Sequence, residues 1–597
     1  MDLCRVGRRL LMAGDVMTGK AFRKQQDWYR TRVSLVSLGT FVLVVLVWSS
    51  RSVEGEDQEA IPDLVTWSSD IAPIIVGECL DCHGENPSAP FQLLSYEDAA
   101  ERADQIARMT SLRRMPPWLP GDDHGTFEGE RILTDRQIEL FTKWWENGAP
   151  AGTGTLSKET LAPDDEAGWE PGVPDLTLTL PVYNLPAEGR DVYRNLVVDI
   201  PVEATRWVEH VELRPGSRTA VHHARVMVDE TPSSRQLDLQ DPEPGFDGMD
   251  LLSGAGNPDG HFIGWTPGKT RLPPLDGMAW RLEPGTDLVV QLHMQTSGTP
   301  QEVTAEVDFY FTDRAPTRHP AVVVVSSLQI DIPAGMPNHA VSNSFTLPVD
   351  VDVLSVYPHA HYLGKDLRAT AVLPSGEEVS LIHIPDWDFN WQDDYRFLEP
   401  VYLPAGTTIL KEFSFDNSSG NPRNPNNPPE RVVYGSNSDD EMADLILQVL
   451  PRSEADRDEL LQAQAWQHDA EDMAYMAALE FSQGEQAYSS GQLAAATMHF
   501  QQALQYRADH LPSLVRMSEI YIEERDGQSA LIIARQGVVM SNRQDARALA
   551  VLAVAQALTG SMADARATAS EALSRARETG DVSLIDMVEA RVSMLFR

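Results

Sequence analysis

Cysteine is almost missing from this chain. Cys4, Cys79 and Cys82 are the only three among 597 residues, so no disulfide framework can staple the fold. Positive charge is scarce too: Lys and Arg total 48 against 89 Asp and Glu, a formal net charge of −41. That balance argues against binding nucleic acid and against docking on anionic lipid. Chain-breaking residues are plentiful, with 40 Pro and 39 Gly, which implies turn-rich β structure. The apolar fraction of 42% supports real cores and excludes a disordered chain. The length implies several modules.

The scarce positive charge is concentrated at one end. Arg5, Arg8, Arg9, Lys20, Arg23, Lys24, Arg30 and Arg32 precede the uncharged run "VSLVSLGTFVLVVLVWSS" at 33–50. Its length suits a short membrane-spanning helix better than a signal peptide's apolar region. The basic flank predicts a cytoplasmic tail at 1–32, with everything after the anchor held outside the cytoplasmic membrane. A cleaved signal and a buried helix are the alternatives.

After the anchor, composition divides the chain. A module at 64–152 is bounded by the polar segments "EGEDQEAIPD" and "GTGTLSKETLAPDDEAGWEPGVPD". From 175 to 451, short alternating apolar runs such as "NLVVDIPV" and "AVVVVSSLQIDIP" are broken by Pro, Gly and Asn. That pattern predicts two antiparallel β-sandwiches, at 175–315 and 316–451. From 470 to 597 the text turns to Ala, Gln, Glu, Leu and Arg with helical spacing. Ala496, Phe500 and Ala503 recur as Ala530 and Ala534, then as Ala565, Ala569 and Ala572; the steps from Ala496 to Ala530 to Ala565 are 34 and 35 residues. With Gly484 and Tyr521 at small and aromatic positions, this resembles about three tetratricopeptide repeats, which implies a protein partner. An alanine-rich helical bundle is the plainer alternative.

Two of the three cysteines sit in "GECLDCHGENPSAP", where Cys79, Cys82 and His83 spell C-x-x-C-H. In that motif two thioethers attach haem c and the histidine takes the iron. A zinc half-site or a redox dithiol are the competing readings; the first wants more Cys or His nearby, and the second lacks this His. Met115 in "SLRRMPPWLP" is the candidate sixth ligand, ahead of Met109. The run from "WSSDIAPIIVGECLDCHG" to "LTDRQIELFTKWWENGAP" resembles a small all-α c-type cytochrome domain. Its last helix carries Ile138, Leu140, Phe141, Trp144 and Trp145, to pack on haem or simply on the core.

The β region scatters its histidines in strand-like text: His222 and His223 in "RTAVHHARVMVDE", His293 in "DLVVQLHMQTSG", His359 and His361 in "VLSVYPHAHYLGKDL", and Met442 in "SDDEMADLIL". A lone strand histidine is usually structural. Residues two apart share a strand face, about 6.6 Å along it, and imidazoles with a thioether suit copper, above all Cu(I). Adjacent His222 and His223 would face opposite sides of an ideal strand, so sharing one metal requires a bulge or strand end.

The ordered anchors H-H, Q-x-H (Gln291, His293), H-x-H-x-L-G and S-x-D-E-M resemble the copper type II ascorbate-dependent monooxygenases, over roughly 190–450. The resemblance implies one electron-storing copper on His222, His223 and His293. It implies a second copper on His359, His361 and Met442, where O2 and a C–H bond of an organic substrate would react at an uncoupled pair. Tyr357, Asp444 and Ile446 stand where the peptide hydroxylase of this family holds its substrate carboxylate, so a peptidylglycine substrate is not expected. The expected function is thus a membrane-anchored haem- and copper-dependent oxidoreductase supplied by an electron donor. The alternatives are a non-catalytic electron-transfer or copper-binding protein, or a repeat-based scaffold.

Overall fold

The computed structural model describes residues 61–596 apart from 85–88, 122–125, 154–170, 218, 249–252 and 270. The expected tail at 1–32 and anchor at 33–50 lie outside the described residues. Among the described residues, no helix is long and apolar enough to cross a membrane.

The first module is helical, with helices at Ala72–Glu78, Leu80–His83, Tyr96–Glu101, Ala103–Ser111 and Asp135–Glu146. Thr134 and Gln137 close a reciprocal capping box on the last helix, satisfying two otherwise unpaired N–H groups. Its 3.6-residue period buries Leu140, Phe141 and Trp144, and Trp144 packs 6.1 Å from Trp67. Trp145, expected to pack inward, lies on the other face and is 48% exposed.

The β region consists of two double-sheet units. In the first, a five-stranded sheet (246–247, 192–199, 287–294, 221–229, 263–265 in spatial order) faces a four-stranded one (176–179, 305–312, 206–215, 280–282). Leu196, Leu288 and Val290 from one sheet and Leu178, Leu213 and Phe309 from the other share one core. In the second unit, strands 321–325, 443–451, 351–360 and 395–403 face strands 339–346, 408–415, 364–372 and 378–384. Every pairing in these four sheets is antiparallel. The last strand of the first unit is Ala305–Thr312 and the first of the second is Ala321–Val325.

The small module shares a core with the second β unit. Phe127, 4% exposed, belongs to that unit's hydrophobic core, with Trp118 and Leu119 packed against it. Backbone bonds lace the two: Leu398 N–H donates to the Thr126 carbonyl (2.9 Å) and Glu128 N–H to that of Arg396 (2.8 Å).

The C-terminal helices begin at Glu454, earlier than the 470 read from composition. Ser453 caps the first, accepting the Asp456 N–H, and Glu454 and Asp456 favour its positive end. Within its acidic start "SEADRDEL", Leu460 is fully buried in the second β unit's core. Gln464 there bonds both the N–H and the carbonyl of Val324. Helices Leu493–Tyr506, Leu511–Glu523, Gly527–Met540, Ala546–Leu558, Met562–Thr579 and Val582–Val592 follow. The periodic residues Ala496, Phe500, Ala503, Ala530, Ala534, Ala565, Ala569 and Ala572 are all buried. A Cβ on Gly484 would meet the Phe500 ring at 2.4 Å, which is why that position is small.

Candidate metal centres

His223 on the Val221–Asp229 strand pairs directly with His293 on Asp287–Met294. The register shifts between Val221 and His223, and this bulge turns the adjacent His222 to the same side. The three rings converge through their Nδ1 atoms: His222 to His223 is 3.2 Å and His293 to His223 is 3.3 Å. Nitrogens held about 2.0–2.1 Å from one tetrahedral ion would stand roughly 3.3 Å apart. Three imidazole nitrogens within 4.8 Å of one another suit a cation.

Behind His293, Asp191 accepts from Nε2 at 2.9 Å and also from the Ser438 hydroxyl of the other β unit. Burial raises the Asp191 carboxyl, but the His293 and Ser438 bonds outweigh it and the net shift is downward. This carboxylate fixes the tautomer that aims Nδ1 at its neighbours. Tyr193 stacks on His293, centroids 4.2 Å apart. Asp191 and Tyr193 were not read as site residues from the sequence, because neither carries a spacing motif. Gln291, the Q of Q-x-H, bonds Asn195.

His359 and His361 end the Val351–Ala360 strand, both buried, with ring centroids 5.2 Å apart. His359 Nδ1 donates to Gln392 Oε1 (2.5 Å), and His361 Nδ1 to the Asp440 carbonyl (3.2 Å). Both rings therefore keep Nε2 as a lone-pair donor, and His361 Nε2 is buried without a hydrogen-bond partner. The register pairing His359 with Asp444 and Ala360 with Ala443 continues to bring Met442, 2% exposed, alongside His361. Glu441 clamps this corner, accepting backbone N–H bonds from His361, Met442 (2.9 Å) and Leu363 (3.1 Å). Burial pushes its carboxyl up to about 8 against those three donors. Met294, next to His293 in sequence, is packed in the first unit's apolar core.

The two sets face each other, with the His223 and His359 rings 6.0 Å apart. Phe389, fully buried, stacks on His222 at 4.4 Å and meets His361 at 5.5 Å, between the sets. Burial lowers all five imidazoles, His222 to about 3 and His223 and His361 well below their ordinary value. Near neutral pH each is an uncharged ligand.

In the helical module, His83 Nδ1 donates to the Phe91 carbonyl at 2.9 Å, leaving Nε2 for a ligand. Burial, then Glu78, Cys82 and Asp81, push the Cys79 thiol up to about 12. Met115 lines a cavity of about 480 Å³ with Trp118, Arg131, Leu133 and Ile138; Met109 does not line it. His83 is not among its lining residues either. Glu78, just before the C-x-x-C-H segment, bonds Gln137. A Cβ on Gly268 would meet Cys82 Sγ at 2.3 Å, and the Gly268 carbonyl accepts from Arg131. The two thiols and the adjacent His83, whose Nδ1 is engaged by Phe91, suit covalent haem attachment, whereas the Met115 cavity is lined partly by Arg113, Arg131 and Asp135.

No family model matches the chain, and no curated protein does. Among solved structures, the N-terminal domain of stress-induced protein-1 (STI-1) from C. elegans is 19% identical, covering 20% of this chain and 96% of that one, with a TM-score of 0.17. A MamA RS-1 double mutant is 17% identical over 20% of this chain and 74% of that one, with a TM-score of 0.15. An infectious bursal disease virus Gx strain structure is 8% identical over 48% of this chain and 75% of that one, with a TM-score of 0.14.

Proposed function

We propose that this chain is an extracytoplasmic copper- and haem-dependent oxidoreductase of the monooxygenase type, anchored by its 33–50 run and recruiting a protein partner through tetratricopeptide-like repeats. What supports the reading above all is the convergence of His222, His223 and His293 through three Nδ1 atoms, opposite a separate His359–His361–Met442 corner. His222, His223 and His293 would hold one copper ion, and His359, His361 and Met442 a second. His83 and Met115 would ligate a haem joined to Cys79 and Cys82. Bound copper would supply one-electron chemistry toward O2 and a C–H bond, and haem one-electron supply. The chain's own work is positional. Asp191 orients His293, Gln392 and the Asp440 carbonyl orient His359 and His361, and Glu441 fixes the backbone beneath Met442.

Phe389 favours a second reading. Its ring is wholly buried and packs against histidines of both sets, leaving no open space between them there. A protein that binds copper and passes electrons without oxygenating a substrate would have that arrangement; O2 uptake by the reduced protein with candidate organic substrates separates the two.

Elemental and haem analysis of the purified, copper-loaded protein tests the assignment. Two coppers and one haem per chain are expected, and His293→Ala should lower copper toward one without changing haem. Zinc, or no metal, in loaded protein would overturn it.

A further inference from the structure

Two opposite charges stand unpaired where the β units meet. Arg225 follows His223 by two residues on the Val221–Asp229 strand, so the two share a face. It pairs across the sheet with Gln291, as His223 does with His293. Its Nε and Nη2 both donate to one neutral oxygen, Asn257 Oδ1, at 3.3 and 2.9 Å. Among the described residues no carboxylate binds this guanidinium, in a chain where acidic residues outnumber basic ones 89 to 48. Asp444, from the second unit, is the cross-strand partner of His359. Its Oδ1 is buried and accepts no hydrogen bond. Lys411 lies within electrostatic reach, but its ammonium donates to the Ala443 carbonyl and Ser327. The His359 proton goes to Gln392. Aromatic rings connect the two charges: Phe262 lies 5.9 Å from the Arg225 guanidinium and 5.1 Å from Tyr357, which stacks 6.1 Å from His359. Arg225, Phe262, Tyr357 and Asp444 all keep part of their surface open to solvent.

We propose that Arg225 and Asp444 bind the two ends of one small amino-acid-like zwitterion, its carboxylate on Arg225 and its ammonium on Asp444, with its carbon skeleton over Phe262 and Tyr357. A charged group withdrawn from water without a partner destabilises a fold, and such departures from good packing gather at functional sites. Arg225 keeps Nη1 for a carboxylate oxygen, a charge-assisted bond. The buried Asp444 oxygen requires a donor, which an ammonium supplies. A molecule with a single charge leaves one of the two residues unpaired, so the pair selects for both charges together. Binding needs only these side chains. That the bound molecule is also the substrate, held beside His359, rests on the oxidoreductase reading above.

Isothermal titration of the full-length protein, before and after copper loading, tests this with β-alanine, γ-aminobutyrate and ε-aminocaproate, which differ in the distance between their charges. Butyrate and butylamine, with one charge each, are the comparisons. At least one zwitterion should bind roughly tenfold or more tighter than either comparison. Arg225→Gln should reduce its affinity to that of butylamine, and Asp444→Asn to that of butyrate. A merely structural role for either residue would weaken all the probes alike, and that result would overturn the proposal. Where a variant fails to fold, discrimination by the parent protein decides: equal binding of the zwitterions and both comparisons, or none, overturns it. Zwitterion binding by a protein that takes up no copper would leave this site standing and remove its role in the proposed oxidation. Full copper loading without zwitterion binding would overturn this site alone.

Discussion

Lys411 is fully buried, with its ammonium donating to the Ala443 carbonyl at 2.6 Å and to Ser327 Oγ at 2.8 Å. Burial lowers its pKa to about 8, against the opposing pull of Asp444 and Glu471. The unfolded chain keeps this proton up to about pH 10.4, so between 8 and that value the unfolded state binds more protons. Stability must then rise with pH across this window. Below pH 8 the charged, buried form costs about 3 kcal/mol relative to an unshifted lysine. Lys411→Met removes the group while keeping an unbranched apolar stem. The stability difference between Lys411→Met and the parent, from urea melts, should be largest near pH 7 and shrink toward pH 10. A difference flat with pH would show that Lys411 stays protonated in the fold across this range, as in the unfolded chain.

Strand ends build the candidate centres, and they also limit what a sequence discloses. The H-x-H pair was legible because a period of two puts both rings on one face. Periodicity alone separates the H-H pair, and only the resemblance joins it; the shift between Val221 and His223 supplies the bulge that this requires. Asp191 and Gln392 were invisible for another reason: they reach their histidines across 102 and 33 residues of chain, and no local pattern encodes that distance. Glu441 stood inside a quoted motif, but its role appears only when two strands are laid side by side. It joins the end of Val351–Ala360 to the start of Ala443–Pro451 by accepting three N–H groups with two oxygens. Glu441→Gln replaces one of those oxygens with an amide nitrogen, which cannot accept from the N–H it faces. Loss of stability of about 1–3 kcal/mol is expected, together with roughly 10–100-fold weaker copper binding at the His359 set. Copper titration of this variant should show the His222–His223–His293 set nearly intact; equal weakening at both would mean that Glu441 supports the whole β region instead.

At the scale of the molecule, module boundaries drawn from composition follow the β strands but miss what crosses between modules. Alternation marks strands because one side of each is buried, and the 34- and 35-residue steps mark helices because stacked pairs bury the same small positions. Composition is silent where one module completes another's core, as Phe127 and Leu460 both do for the second β unit. The helix Glu454–Ser489 therefore belongs to two structures at once: its first half is part of the β unit, and its second begins the repeats. Truncation separates these roles. A chain ending at Met476 keeps Leu460, Gln464 and the Glu471 bond to Asn343 (2.7 Å), and should keep its candidate metal centres and nearly its full stability. A chain ending at Pro451 loses the fully buried Leu460, worth about 1.5–3 kcal/mol. It also leaves the Val324 backbone without Gln464, a further loss of roughly 0.5–1.5 kcal/mol per hydrogen bond. Urea melts of the two truncated proteins should thus differ by several kcal/mol, with the longer one matching the full chain in the β-unit transition. Equal midpoints would show that the helix only rests on the β unit, and the repeats would then be a module hung from it, free to reorient around whatever partner they hold.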